Sequence, residues 1–185
     1  TRTYPLGELT EDERRFYTWT LQCHIDIAKA VWLDYCECKM IDTIAREPLW
    51  RHLINYRCGT GHSVSFVGNV HEGPHALNGR NTTLMRPGMI VTDEPGVYET
   101  DLVGIRIENE LVCVHKADNQ YGTFLGFEPI MFVPIATSPI VPGVLTQDEI
   151  DWLNNYHRQV FEKLAPRLNE GERDWLAKKC AAIGC

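Results

Sequence analysis

Four short blocks between Cys58 and Asn109 set side chains that can bind a metal or a transition state beside residues that fix the backbone. They are Cys58-Gly59-Thr60-Gly61-His62, Asn69-Val70-His71-Glu72-Gly73-Pro74, Thr92-Asp93-Glu94-Pro95-Gly96 and Gly104-Ile105-Arg106-Ile107-Glu108-Asn109. The glycines before His62 allow a tight turn and close approach of the backbone to a bound group. A neutral imidazole there is a ligand for Zn, Mn or Co; the alternative is a histidine capping a loop. Glu94 ends a strand-like run and is held by Pro95-Gly96. Glu108 lies among Ile105, Ile107 and Leu111, where a carboxylate is costly unless it is paired or metal-bound. Its alternative is an ion pair with Arg106 or another cation. His71 could donate a hydrogen bond to a carbonyl oxygen or a tetrahedral intermediate, or be a loop histidine. So many such groups in one stretch are hard to explain as core packing and read as most of a metallohydrolase site. The inventory is short, because two ions ~3.5–4 Å apart need about five carboxylate or imidazole donors. About two donors, expected to be aspartates, are missing. The pair Cys36-Glu37-Cys38 is spaced too tightly for an ordinary zinc clip. His52, His75, His115 and His157 are read as structural.

The elements that must position these groups can be read from periodicity and caps. Thr10-Glu11-Asp12-Glu13 forms a capping box, opening a helix to about Val31 with Phe16, Trp19, Cys23, Ile27 and Ala30 at helical spacing. His24 on this helix reads as a surface or satisfied histidine. A second helix runs from about Lys39 to Glu47 and is expected to stop before Pro48. From Tyr56 the pattern changes to short β runs. Met89 to Thr92 is one strand, ended by the Pro95-Gly96 turn. Gly104 to His115 is the next, with Ile105 and Ile107 on one face and Arg106 and Glu108 on the other. Thr123 to Pro134 reads as a strand pair or a bent strand. Thr146-Gln147-Asp148-Glu149 opens a third helix with Ile150, Leu153, His157, Val160, Phe161 and Leu164 on one face, ended by Pro166. A last helix covers about Glu170 to Ala182. The expected division is a β-rich body, residues 1–138, and a helical extension, residues 139–185.

The chain of 185 residues has 44% hydrophobic and 23% charged residues, as a soluble globular protein does. A net charge of −7 without a Lys/Arg run argues against a nucleic-acid partner. The most apolar run, Pro129 to Leu145, carries four prolines, so no continuous membrane helix is expected. Seven cysteines without a regular framework suggest reduced thiols and the cytoplasm. The opening Thr1-Arg2-Thr3 reads as that of a processed, truncated or partial chain.

The four blocks, with Val97 and Tyr98 after the third, resemble the signature of aminopeptidase P, the Xaa-Pro aminopeptidase of the pita-bread metallopeptidases. That family also holds methionine aminopeptidase, prolidase and creatinase. The resemblance covers nearly the whole chain, and Glu149 to His157 is similar to the C-terminal extension of the long aminopeptidases P. It implies an α+β pita-bread fold, incomplete at the N-terminus, with a curved antiparallel sheet covered by helices. It implies that His62, Glu94 and Glu108 are metal ligands, Glu108 bridging, for two divalent ions. An oxygen-rich set favours Mn, with Zn or Co as alternatives. Glu94 would also move the proton of the attacking water, His71 would steady the tetrahedral intermediate, and Arg106 would support the ligand carboxylates. His71 and Tyr98 would bind substrate, a peptide with proline in second position.

Thr1-Arg2-Thr3 resembles the end of the motif that supplies the second ligand aspartate. Both aspartates, and the N-terminal domain, would then precede residue 1. The 185 residues alone are expected to bind metal weakly and to have little activity. The extension implies a homodimer. Cys58 stands where many members have a histidine, and Ser63 and Ser65 replace common glycines. The competing readings are a prolidase or creatinase-like hydrolase, and a non-catalytic peptide-binding module of the same fold.

Overall fold

Residues 1–184 are described by the computed structural model, and Cys185 lies outside the described residues. Helix α1 (Glu11–Lys29) begins at the Thr10–Glu13 capping box. Strand β1 (Val31–Leu33) and helix α2 (Cys38–Trp50) follow. Strands β2 (Gly61–His62), β3 (Ala76–Leu77), β4 (Ile90–Asp93), β5 (Gly96–Glu99), β6 (Val103–Arg106), β7 (Asn109–Asn119) and β8 (Gly122–Pro129) make the body. Helix α3 (Gln147–Leu164) begins at the Thr146–Glu149 capping box, and helix α4 (Glu170–Lys179) at a third box, Asn169 with Glu172. A 3₁₀ turn, Ala165–Arg167, links them.

The main sheet is antiparallel in the order β1-β8-β7-β4, with β2-β3 and β5-β6 as separate ribbons. A register shift between His115 and Ala117 bends β7 against β8, as an extra residue in one strand does. Helix α1 is the central strut, with side chains in each of three cores. Ile27 and Ala28 pack with Ile41 and Ala45 of α2 and with Val91, Leu111, Leu125 and Phe127 of the sheet. Tyr17, Leu21 and Ile25 pack with Ile105, Ile107, Ile150, Leu153 and Val160. Helix α3 therefore seals α1 and the segment around Ile107 from water. Among the described residues no helix is long and apolar enough to cross a membrane.

Three expectations are corrected. The run Gly104 to His115 is two strands, because its ladder changes partner. Arg106 pairs with Gly96 of β5, whereas Asn109 pairs with Asp93 of β4. Between them the Ile107 N–H reaches the Pro95 carbonyl and the Glu108 N–H reaches that of Thr1. Side-chain alternation continues through the switch, so the sequence carries no sign of it. Helix α2 does not stop before Pro48 but runs one more turn. Pro48 lacks the N–H for the Ile44 carbonyl, yet Leu49 is fully buried with Cys23, Tyr56 and Val97, which holds that turn in place. The last helix ends at Lys179 rather than near Ala182.

Candidate active site

Gly61 brings the site together by having no side chain. A Cβ there would sit 1.7 Å from the Thr92 carbonyl oxygen, so β2 lies flush against β4. The His62 N–H donates to Thr92 Oγ1 at 2.9 Å, and Thr92 Oγ1 donates to Glu94 Oε1 at 2.9 Å. The Glu94 N–H donates to the Thr60 carbonyl at 2.7 Å. These bonds place His62 Nε2 3.1 Å from Glu94 Oε1. On the other side of the ring, Nδ1 lies 3.0 Å from the Ser63 carbonyl, which can only accept. Nδ1 therefore carries a proton, and in the neutral ring Nε2 presents its lone pair to the Glu94 carboxylate. Two acceptors facing one another are satisfied by a shared cation or by a proton.

Arg106 fixes the other Glu94 oxygen, with Nη1 donating to Oε2 at 3.0 Å and also to the Glu94 carbonyl. Its Nε donates to Tyr98 Oη at 2.9 Å. Gly96 makes room, since a Cβ there would lie 2.7 Å from Arg106 Nε. Burial works to lower the Arg106 pKa, but Tyr98, Cys58 and Glu94 outweigh it and raise the value, so the guanidinium stays charged. The exposed His71 ring lies 3.9 Å from that of His62, centroid to centroid. His62, His71, Glu94, Arg106, Gly61 and Cys58 line one cavity of about 310 Å³.

Glu108 does not line that cavity. It accepts from the Thr1 hydroxyl. Arg106 is hydrogen-bonded to Glu94 and not to Glu108. Behind the site Asp93 is fully buried, and burial raises its carboxyl to about 6 despite the nearby His24 and Arg2. His24 Nδ1 lies 2.9 Å from Asp93 Oδ2, off the line of a hydrogen bond, and its Nε2 faces Asn109 Nδ2 at 3.3 Å.

The structure thus gathers His62, Glu94, Arg106, Tyr98 and His71, and leaves Glu108 to one side. Among the described residues no three His, Cys, Asp or Glu side chains are grouped to hold a metal. The donors present suit a divalent ion in kind, an imidazole nitrogen and carboxylate oxygens, but not in number. Sequence reasoning missed Thr92, whose hydroxyl links His62 to Glu94. Its only sequence signal is a hydroxyl side chain two residues before a strand-end carboxylate.

A curved antiparallel sheet backed by helices, with an imidazole and a carboxylate converging beside it, is the pita-bread type of metallohydrolase architecture. The pattern of metallopeptidase family M24 matches residues 1–115, and that of its C-terminal region matches residues 123–183. The chain belongs to metallopeptidase family M24. It is 43% identical over 184 residues to an aminopeptidase P of Arabidopsis thaliana, covering 95% of this chain and 26% of that protein. It is 40% identical over 191 residues to a probable Xaa-Pro aminopeptidase P of Coprinopsis cinerea, covering 99% and 31%. Among solved structures it is similar to the X-prolyl aminopeptidase of Caenorhabditis elegans, described as a cytosolic enzyme with a di-nuclear active site. That match has a TM-score of 0.90 and 35% identity, over 98% of this chain and 31% of the other. The prolidase of Pyrococcus furiosus matches at a TM-score of 0.58 and 26% identity, over 69% and 35%. The chain therefore spans about a third or less of the length of these relatives.

Proposed function

We propose that this chain is the C-terminal part of a metal-dependent Xaa-Pro aminopeptidase, which removes the first residue from peptides with proline in second position. The observation that carries this reading is the His62–Glu94 contact of 3.1 Å, braced by Thr92 and Arg106 and opening into the cavity that His71 also lines. The match of 98% of the chain to an X-prolyl aminopeptidase supports it.

In this reading His62, Glu94 and Glu108 hold two divalent ions together with donors from outside residues 1–185. Mn suits the oxygen-rich set, with Zn or Co as alternatives. When bound, the ions lower the pKa of water and polarise the scissile carbonyl. The chain's own residues do the rest. Glu94, held by Arg106 and aimed by Thr92, takes the proton of the attacking water and passes it to the departing proline nitrogen. His71 donates to the developing oxyanion. Arg106 acts through Glu94, and the exposed Tyr98, whose hydroxyl accepts from Arg106 Nε, binds substrate beside it. Proline fits because its nitrogen carries no hydrogen and its ring is rigid.

Residues 139–185 form the helical extension on the body of residues 1–138, and through it the protein forms a homodimer. The six described cysteines are free thiols, which suits the cytoplasm. Neither nucleic acid nor a membrane has a part in this reading. The test is cleavage by the intact protein with Mn of Arg-Pro-Pro, of the dipeptide Gly-Pro and of creatine. Release of Arg from Arg-Pro-Pro supports the reading, and preference for Gly-Pro moves the assignment to Xaa-Pro dipeptidase. A second reading, a non-catalytic peptide-binding module, draws on the position of Glu108 outside the cavity. Calorimetric titration of the intact protein with Mn and Zn separates the two, because a module of that kind takes up neither ion tightly.

A further inference from the structure

We propose that a basic groove beside the candidate active site binds negative charge on the part of a peptide that follows the proline. The proposal rests on the aminopeptidase reading above and names the substrate class of that site. The groove encloses about 1070 Å³ between α2 and the loops at residues 55–59 and 78–80. It shares Cys58, Gly59 and Asn78 with the smaller cavity that holds His62 and Glu94, so the two rooms adjoin. Ligand pockets run to about 300–1,000 Å³, which gives the groove space for several residues. An aminopeptidase leaves one residue on the amine side of the scissile bond and the longer segment on the other. The longer segment needs the larger room.

The charges in that room are unbalanced. Its wall carries Lys39, Arg46, Arg57 and Arg80 against one carboxylate, Asp42. Asp42 is fully engaged, accepting from Thr60 Oγ1 on one oxygen and from Arg46 Nε at 2.8 Å on the other. Arg46 is engaged as well. It donates to the Tyr56 and Cys58 carbonyls, each at 2.8 Å, and lies 4.1 Å over the Tyr56 ring, so it shapes the wall. Lys39 pairs with Glu37. Arg57 and Arg80 are exposed, and neither guanidinium has an ion pair or hydrogen bond among the described residues. Two uncompensated guanidiniums in a cleft concentrate positive potential there, in a chain whose net charge is −7. The turn that carries Arg80 is set before any ligand arrives, since Asn78 Oδ1 accepts from the Arg80 N–H at 3.0 Å and the Asn81 N–H at 3.1 Å. Guanidiniums favour carboxylates because their forked donors match both oxygens. The negative charge can be the C-terminal carboxylate of a short peptide or the acidic side chains of a longer one.

The experiment compares kcat/KM of the intact protein for Ala-Pro-Gly-Gly-Gly and Ala-Pro-Asp-Asp-Gly, each with a free and an amidated C-terminus. At low salt negative charge after the proline raises kcat/KM about fivefold, mainly through KM, and added salt erases the gain. A gain that follows the aspartates assigns side chains as the ligand, and one that follows the free terminus assigns the carboxylate. In Arg57→Ala/Arg80→Ala the ratio of acidic to neutral rates falls to about one, and in Arg57→Glu/Arg80→Glu it drops below one. Equal rates on every peptide in the unmodified protein, or a preference that survives the double alanine change, overturns the proposal. If no peptide is cleaved, the aminopeptidase reading has failed. Anisotropy of rhodamine-labelled Ala-Pro-Asp-Asp-Gly then tests the groove by itself: tighter binding than the glycine peptide, lost in the double variant, supports it, and equal binding rejects it.

Discussion

Gly61→Ala inserts one methyl group where β2 and β4 touch, and its consequence can be worked out from the structure. The new Cβ would lie 1.7 Å from the Thr92 carbonyl oxygen and 2.8 Å from its carbon. A carbon rests no closer than about 3.3 Å to such an oxygen, so the two segments must part by about 1.6 Å. The obstacle is backbone on both sides, with no side chain able to turn away. Parting breaks the bond from the His62 N–H to Thr92 and that from the Glu94 N–H to Thr60. Two hydrogen bonds at about 1 kcal/mol each, with about 1 kcal/mol of residual overpacking, give a loss of about 3 kcal/mol. In a domain of this size that lowers Tm by about 6–12 °C. The catalytic effect exceeds the stability effect, because the His62–Glu94 spacing changes by more than 1 Å. A misplacement of that size costs about 100-fold. The assay is kcat/KM on Arg-Pro-Pro at 25 °C beside a thermal melt of the same preparation. A variant with unchanged Tm and activity would refute the argument that β2 and β4 must touch.

Three further outcomes follow from the same geometry. His71→Ala lowers kcat/KM about 100-fold, as loss of one oxyanion donor does, with Tm unchanged because the side chain is exposed and carries no core; equal activity rules His71 out of the chemistry. His157 is buried, and burial with the nearby Arg2 holds its pKa down to about 4 against an ordinary 6.5. As pH falls below 6.5 the unfolded chain takes up the proton first, so stability complete above 6.5 declines to pH 4 by about 3 kcal/mol. Asp26, raised to about 6 by burial and by Glu149, works in the opposite sense, gaining stability as pH falls from 6 towards 3.8. The His157 effect is therefore read as the difference from His157→Gln in urea melts at several pH values, and a difference that stays flat with pH contradicts it. Arg46→Met leaves Asp42 buried without its cation and costs about 3–5 kcal/mol; adding Asp42→Asn recovers part of the loss in denaturant melts, and an undiminished loss contradicts the pairing.

Much of the fold was legible because its signals are local. The capping boxes at Thr10 and Thr146 sit at the helix starts they announce, since a hydroxyl and a carboxylate three residues apart satisfy the same free amides wherever they occur. What the sequence hid was partnership. His24 shows no partner within its helix, yet the neighbouring carboxylate, Asp93, comes from β4 across the core. The break after Arg106 is silent for the same reason: inward and outward residues keep alternating while the hydrogen bonds pass from β5 to β4. In the candidate site the residue types of His62 and Glu94 were legible from glycine and proline punctuation. The threonine that links them was not, because threonine in a strand is usually there for its branching.

Arg2 joins distant parts of the chain. Its guanidinium donates to the Glu108 and Val133 carbonyls, to Asn109 Oδ1 at 2.7 Å and to the Tyr156 hydroxyl of α3 at 2.9 Å. Asn109 in turn touches His24 on α1. One planar cation thereby rivets the segment that carries Glu108 to the C-terminal helices. Trimming the chain back to remove α3 would strip that rivet of an anchor and loosen the segment it pins, so the helical tail holds in place the turn between β6 and β7.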